Sequence, residues 1–332
     1  MKYFKLKEIS EIKNGEQCNY SDKGIIPVYG SNGIIGYTDD LNAPENSIII
    51  GRVGANAGSV FYSLKKHWVS DNAISVVPNV NKVNPFYLYY ALFNLDLNRL
   101  VEGSAQPLIN QSILNSFEIS VPSLSVQTSV IEKIRVFDEK IAINNQINDN
   151  LLELAKALFH EKFSYDDEVL LSNYFLPKRG KNLLKRNVVN GYIPVVAGGL
   201  TPAAFHNKSN TESPVITISS SGANAGYTQI WGQKVWSSDS SYIDKTVTNN
   251  IYFWYLLIKN HQKQIFDSQT GSAQPHVYPR DIGNILIPKI NEVVAKRVDK
   301  AVTPVFQKIF QNKDENKKLE NIKAVLLDKY FD

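Results

Sequence analysis

Gly54-Ala55-Asn56-Ala57-Gly58 recurs as Gly222-Ala223-Asn224-Ala225-Gly226, at an offset of 168 in the residue numbering. Gly103-Ser104-Ala105-Gln106-Pro107 recurs as Gly271-Ser272-Ala273-Gln274-Pro275 at the same offset, and Ser70-Asp71 returns in step with them as Ser238-Asp239. Two five-residue identities at a single offset are hard to explain by chance. The sequence therefore predicts one structural unit that is repeated in tandem.

The composition is that of a globular protein, with 43% hydrophobic and 20% charged residues. The chain is long enough for two domains of ordinary size, each with its own core. Its single cysteine, Cys18, excludes an internal disulfide. The apolar runs are too short to cross a bilayer, and the first residues lack the apolar core of a signal peptide. We therefore expect a soluble, cytoplasmic protein without a membrane partner.

Each copy is predicted to consist of a globular segment followed by a long helix. The globular segments contain short β-rich runs between glycine turns, such as Ser47–Ile50 and Val215–Ile218. Phe86–Leu92 is predicted to be a buried helix, although its periodicity also permits a strand. The predicted fold class is α/β (α+β), with two domains of twisted strands and short helices alternating with two long helices. The predicted boundaries are 1–125, 126–163, 164–290 and 291–332.

The two long helices share one heptad frame and are expected to pair as an antiparallel coiled coil. The apolar positions of that frame are Val130, Ile134, Phe137, Ile141, Leu151 and Leu158, and at the repeat offset Val298, Val302, Val305, Ile309, Leu319 and Leu326. Four positions of the frame are asparagine, namely Asn144, Asn148, Asn312 and Asn316. A buried asparagine costs stability but fixes register. The alternative is that these residues lie beside the seam in water.

Pro304 interrupts the second helix at the place of Val136 in the first. Because proline lacks the N–H that an α-helix needs, this position predicts a kink or a new helix with Thr303 as its N-cap.

The charge differs between the copies more than the net charge of +4 suggests. Residues 1–125 hold 10 Lys and Arg against 11 Asp and Glu, whereas residues 164–290 hold 12 against 8. Five of these cations form a cluster at Lys178, Arg179, Lys181, Lys185 and Arg186. Such a cluster suits contact with phosphate, and a solvated loop explains it equally well.

No arrangement of residues supports catalysis or metal binding. Asn84-Pro85-Phe86-Tyr87 lacks the second proline of the amino-methyltransferase motif, and Pro85 is expected to begin a helix. The glycine-rich turn Gly51–Gly58 has no Gly-Lys-Ser/Thr ending, so it is predicted to be a tight turn packed under the sheet. The five histidines lack metal-ligand spacing. Asp71 and Asp239 recur without a second recurring carboxylate, which favours a structural, hydrogen-bonded role.

The order of these segments resembles the specificity subunits of type I restriction–modification systems. The residues that carry the resemblance are Pro27–Tyr37, Gly54–Gly58, Ser70–Ile74, Gly103–Pro107, Val121–Leu124 and Asn148–Phe163, over essentially the whole chain. The resemblance implies two target-recognition domains that each recognise half of a bipartite DNA site, and helices that set the spacing. It also implies a non-catalytic chain that assembles with two modification (methyltransferase) subunits and with restriction/translocase subunits. S-adenosylmethionine, ATP and Mg²⁺ would then bind those partners and not this chain.

The repeat also indicates which residues distinguish the two half-sites, because identical residues cannot recognise different bases. Lys and Arg contact phosphates or guanine edges, and Asn pairs with adenine. The candidate DNA-binding residues are Asn32, Arg52, Lys65, Lys66, His67, Lys178, Arg179, Lys181, Lys185, Arg186, Asn207, Lys208 and Trp236. For any one of them, an ordinary surface role is the alternative.

Two other functions remain open at this point. One is a compact methyltransferase that uses Asn84–Tyr87, and the other is a duplicated interaction module with no role in nucleic-acid binding.

Overall fold

A computed structural model shows a mixed α+β chain with two long helices, which confirms the predicted fold class. The structure describes residues 2–95, 97–100, 108–160, 167–271 and 274–331. Contacts divide the chain into a first unit, Met1–Ile141 with Lys317–Asp332, and a second unit, Ala142–Asn316. None of the described helices combines the length and apolarity needed to cross a membrane.

Among its described residues, the first unit contains nine strands, three short α-helices and the first part of a long helix. In chain order these are β1 (Lys2–Lys5), α1 (Leu6–Ile9), β2 (Ser10–Asn14), β3 (Ile26–Gly30), β4 (Gly33–Thr38), β5 (Ser47–Gly51), β6 (Val60–Ser63), β7 (Trp68–Val69), β8 (Ala73–Pro78), α2 (Pro85–Asn94), α3 (Gln111–Ser116), β9 (Glu118–Val121) and the long helix α4 (Leu124–His160).

Among its described residues, the second unit holds the remaining strands, three short α-helices and most of the second long helix. These are β10 (Glu168–Leu170), β11 (Lys178–Arg179), β12 (Ile193–Val196), β13 (Ala204–His206), β14 (Val215–Ser219), β15 (Thr228–Trp231), β16 (Trp236–Ser237), β17 (Ser240–Ile243), α5 (Ile251–Asn260), α6 (Gln262–Asp267), α7 (Pro279–Gly283), β18 (Leu286–Pro288) and the long helix α8 (Glu292–Phe331).

Both units have the same sheet topology. The four-stranded sheet has the order β2-β8-β5-β6 in the first unit and β11-β17-β14-β15 in the second. The three-stranded sheets β4-β3-β7 and β13-β12-β16 correspond in the same way, as do the pairs β1-β9 and β10-β18. The central strands β5 and β14 are buried along their whole length, which explains their largely apolar sequences. The sequence repeat is therefore a repeat of structure.

A helix packs on the four-stranded sheet of each unit, and it buries Tyr87 and Tyr90 in α2 and Phe253, Trp254 and Tyr255 in α5. In α2, the Asn84 side chain accepts hydrogen bonds from two backbone N–H groups and Pro85 occupies the first turn, so the segment is a helix and not a strand. The equivalent helix α5 has no such cap of its own. Asp299 of α8 instead accepts from the backbone N–H groups of Tyr252 and Phe253, at 2.9 and 3.0 Å.

The long helices extend over 37 residues in α4 and 40 residues in α8. Pro304 lies inside α8 without ending it, so the expected restart at Thr303 is wrong. The Thr303 hydroxyl instead donates to the Asp299 carbonyl one turn earlier, at 2.7 Å. Packing of the buried residues Val302, Val305 and Phe306 on each side of the proline stabilises the helix through this position.

The Gly54–Gly58 turn is partly exposed and not packed under the sheet as predicted. Gly54 and Gly58 have φ of +72° and +91°, a left-handed backbone that favours glycine, and residues 54–56 are exposed. Gly222 and Gly226 repeat the conformation with φ of +80° and +85°. The second repeated motif, Gly103–Pro107, lies outside the described residues, as do Ser272 and Ala273 of its counterpart.

Candidate nucleic-acid interface

In the second unit, the repeated motifs and the basic strand β11 meet around one cleft of about 390 Å³. Ser221, beside the glycine turn, pairs as an isolated bridge with His276, beside the second motif. Arg179, Asp239 and Gln274 also line the cleft. The cleft is therefore built by segments that lie far apart in the sequence.

Arg179 is held in place within this cleft. Its guanidinium Nη2 donates to Asp239 Oδ1 at 3.0 Å, and its charged end lies 5.7 Å from the centre of the Tyr278 ring. The Ser221 hydroxyl donates to the other carboxylate oxygen of Asp239. Asp239 thus has the hydrogen-bonded role that its recurrence indicated, whereas Asp71 is exposed.

The remaining candidates of the second unit form another group of exposed side chains. Lys185 and Arg186 lie in a short turn that leads to Val189, whose N–H donates to His206 Nδ1 at 3.0 Å. Asn207 and Lys208 follow His206 directly and are exposed. The structure thus brings two pairs of candidates together beside one histidine. Lys181 is exposed, and Lys178 donates to Thr246 at 2.6 Å.

Trp236 belongs to the scaffold and does not distinguish the two units. Its counterpart in the first unit is Trp68, and each begins the short strand that pairs parallel with β12 or β3. The indole Nε1 of Trp236 donates to the Lys181 carbonyl at 2.8 Å, and that of Trp68 donates to the Glu16 carbonyl at 3.0 Å. Trp236 therefore cannot distinguish the half-sites by its identity, and its contact with DNA stays a prediction.

In the first unit, Ser31 connects two of the candidates. Its hydroxyl accepts from the backbone N–H groups of Arg52 and Val53 and donates to the Asn72 carbonyl at 2.6 Å. Asn32, the next residue, is exposed in the turn between β3 and β4. The Arg52 side chain is half-buried and directed toward the Asp71 carbonyl, at 3.5 Å.

Lys65, Lys66 and His67 lie apart from Asn32 and Arg52. They follow the end of β6 that pairs with Ser47, whereas Arg52 follows the opposite end of β5. Lys65 and Lys66 are exposed, but the counterpart of Lys66 is also a lysine, Lys234. Lys66 therefore cannot distinguish the half-sites by its identity.

His67 is fully buried, so the prediction that it contacts DNA is wrong. Its Nδ1 lies 2.9 Å from the Lys65 carbonyl oxygen, and its ring packs edge-on against Tyr29. Burial lowers the pKa of His67 below its ordinary value of 6.5, and its Nε2 has no partner among the described residues. The counterpart, Val235, fills the same place with an apolar side chain.

The four asparagines of the helix seam are buried and paired within the second unit, which excludes the alternative that they lie in water. Asn144 Nδ2 donates to Asn316 Oδ1 at 2.8 Å, and Asn312 Nδ2 donates to Asn148 Oδ1 at 2.9 Å. Residue numbers rise along α4 as they fall along α8, so the helices run antiparallel here. In the first unit, the Lys323 ammonium lies 2.6 Å from the Asp138 carboxylate, and this pair also fits antiparallel helices.

Comparisons with known proteins agree with this architecture. Residues 1–153 match the family described as the Type I restriction modification DNA specificity domain. A type I specificity subunit of Mycoplasma genitalium is 27% identical over 324 residues, covering 89% of this chain and 83% of the relative. The first 153 residues therefore carry the type I specificity domain that this family describes. Specificity subunits are non-catalytic components of type I systems, which confirms the prediction that the chain is not an enzyme.

Two further similarities concern part of the sequence and the overall fold of this chain. A type I specificity subunit of Mycoplasma pneumoniae is 30% identical over 146 residues, which cover 41% of this chain and 47% of the relative. The crystal structure of a type I restriction–modification S subunit from M. genitalium superposes with a TM-score of 0.66 at 22% identity. That superposition covers 100% of this chain and 96% of the other, and it supports the fold.

The sequence analysis did not identify every polar residue that lines the cleft. Asn182, Gln274 and His276 line it together with Arg179. Gln274 belongs to the second repeated motif, so its recurrence marked it as structural and concealed its position in the cleft. The sequence did contain a signal for the equivalence of Asn14 and Arg179. Lys13-Asn14-Gly15 and Lys178-Arg179-Gly180 resemble each other, although their offset is 165 and not 168.

Proposed function

We propose that this chain recognises a bipartite, asymmetric DNA site, one half with each unit, as the specificity subunit of a type I restriction–modification complex. The observation that carries the proposal is the repeated sheet topology combined with a reversal of charge. The first globular segment holds one more acidic than basic residue, whereas the second holds four more basic than acidic residues. A shared scaffold with different charged side chains suits two different half-sites.

The long helices would set the spacing between the half-sites. A helix of 37 residues spans about 55 Å at about 1.5 Å per residue. One turn of duplex DNA is about 34–36 Å long, so a helix of this length suits separated half-sites better than one short continuous site. The buried pairs Asn144–Asn316 and Asn148–Asn312 would keep that length constant by fixing the register.

The same helices would bind two modification subunits, and restriction/translocase subunits would join the complex. Ile143, Ile147 and Leu154 are exposed on α4, at 52%, 37% and 48% of their surface. An exposed apolar stripe of this kind is typical of protein–protein contact. Methyl transfer and ATP-driven cleavage would belong to the partners, which would bind S-adenosylmethionine, ATP and Mg²⁺.

Reconstitution tests this function. The full chain is purified with the modification subunit of the same genome, and methylated adenines are mapped by single-molecule sequencing of plasmid DNA. The expected product is one interrupted, asymmetric motif, and the chain alone should leave DNA unmethylated. A continuous short motif, or no motif, would contradict the proposal. S-adenosylmethionine binding by the isolated chain in calorimetry would instead favour a methyltransferase.

A further inference from the structure

One position of the four-stranded sheet is equivalent in the two units but differs in chemistry. Gly15 N–H donates to the Ala73 carbonyl at 3.0 Å, and Gly180 N–H donates to the Ser240 carbonyl at 2.8 Å. A Cβ on either glycine would approach a serine carbonyl, at 2.0 Å for Gly15 and 2.6 Å for Gly180. The two glycines therefore occupy one structural position.

The residues that flank this glycine carry the difference between the units. The residue before it is Asn14 in the first unit and Arg179 in the second, and the residue after it is Glu16 or Lys181. Glu16 and Lys181 accept the equivalent tryptophan N–H through their carbonyl oxygens, which supports the same alignment. Both Asn14 and Arg179 are exposed.

The Arg179 guanidinium is oriented before any ligand arrives. Asp239 accepts one of its N–H bonds, the Tyr278 ring lies beside it, and the Ser221 hydroxyl secures the carboxylate. The Arg179 side chain nevertheless keeps 41% of its surface exposed toward the solvent. Holding one edge of the planar group leaves its other N–H donors available to a ligand in the cleft.

The charge of Asp239 decides which part of DNA suits this arginine. A carboxylate 3.0 Å away cancels much of the guanidinium charge, so an anionic phosphate gains little there. A guanine edge is neutral and offers two acceptors, O6 and N7, which match two parallel N–H donors. Phosphate contact instead suits Lys181, Lys185, Arg186 and Lys208, which form no ion pair among the described residues.

On the basis of the proposed function, we infer that the position of Asn14 and Arg179 determines specificity in each half-site. Arg179 recognises a guanine edge through the donors that Asp239 leaves free. Asn14 carries the side-chain amide that pairs with the N6 and N7 edge of adenine. The asymmetry of the site then arises in part from a single exchanged residue on a shared scaffold.

The test replaces Arg179 by the residue that the first unit carries. The Arg179→Asn chain is assembled with the modification subunit, and its methylation motif is mapped beside that of the wild type. We expect one guanine position in one half-site to lose preference by about 5-fold to 150-fold, or to change to adenine, because a bidentate contact is worth about 1–3 kcal/mol. The other half-site should stay unchanged.

Two further variants separate base recognition from folding and from phosphate contact. Asp239→Asn keeps the arginine but removes its ion pair, and it should relax the same base position. Lys208→Asn is the matched control, since it removes an exposed cation of the same unit and should leave the motif unchanged while weakening binding evenly. Circular dichroism melting checks that each variant folds.

The outcomes are distinct. A wild-type complex without a bipartite motif overturns the proposed function and this inference together. A bipartite wild-type motif that Arg179→Asn leaves unchanged, or an even loss of methylation at every base, overturns the inference alone.

Discussion

Replacing Asn144 by leucine tests whether the buried amides control the pairing of α4 and α8. From the sequence alone, Asn144→Leu is expected to stabilise the helix pair and loosen its register, because leucine is the better seam residue. The structure changes this expectation. Asn144 donates to Asn316 Oδ1 at 2.8 Å, and both residues are buried. Leucine at position 144 would therefore leave the Asn316 carbonyl in the interior without its donor.

The magnitude follows from these contacts. A buried acceptor left without a partner costs about 1–3 kcal/mol, and a buried leucine contributes about 1.5–3 kcal/mol. The two effects nearly cancel in the single variant, and misfit of the larger side chain adds a cost. The double variant Asn144→Leu with Asn316→Leu removes both amides. In the wild type, Asn145 accepts a hydrogen bond from Asn316 at 2.9 Å, but Asn145 is exposed and can bind water in the double variant. Because the double variant removes the cost of the unpaired acceptor and adds a second buried leucine, its free energy of unfolding should exceed that of the single variant by about 2.5–6 kcal/mol before any cost of misfit.

Urea unfolding of the wild type, the two single variants and the double variant measures the coupling energy between Asn144 and Asn316 through the denaturation midpoints. Ile143→Leu, on the exposed face next to Asn144, is the matched control and should change stability by less than about 0.5 kcal/mol. Because Asn148–Asn312 remains paired in the double variant, cysteine cross-linking between the helices should still show one register. If Asn144→Leu alone stabilises as much as the double variant, the amide pair does not form and the argument fails.

Three other predictions concern single sites. His67→Val, which introduces the residue found at the equivalent position 235, should reduce the loss of stability between neutral pH and about pH 5.5. The reason is that the unfolded chain protonates this histidine below pH 6.5, whereas burial lowers the pKa of His67 in the folded chain. Melting temperatures at both pH values check this. Asp299→Ala should destabilise the second unit by about 0.5–2 kcal/mol, because it removes the cap of α5. Asp299→Asn should lose less stability, and urea titration of both variants checks this. Ile143→Glu should weaken assembly with the modification subunit in gel filtration without lowering the melting temperature, because the side chain is 52% exposed.

The repeat and the helix seam were predictable because their signals are periodic. Identities at a constant offset survive in the sequence whatever the surrounding fold, and a heptad frame marks the buried face of a helix directly. The polar positions Asn144 and Asn148 were identified in this way, and an antiparallel helix pair places them opposite Asn316 and Asn312, which the structure confirms. The helical state of Phe86–Leu92 needed one more local signal, the capping residue Asn84 before Pro85.

The candidate DNA contacts were harder to predict because exposure and neighbourhood depend on strand register. His67 lies between Lys66 and Trp68 in a polar turn, yet the fold buries it completely. Arg179 was identified by its charge, but its partner Asp239 lies 60 residues away, in the bend between β16 and β17. The equivalence of Arg179 with Asn14 was hidden because insertions between the strands change the offset to 165.

The sequence by itself determined that one unit occurs twice, that each copy combines short strands with a long helix, and that asparagines interrupt both helix seams. Those properties follow from local spacing, which a chain carries in any conformation. Only the tertiary structure decided which residues surround the cleft of the second unit, because antiparallel strand pairing brings distant loops together. It also decided which cations are paired and which are free, since an ion pair depends on a distance in space and not on a distance along the chain.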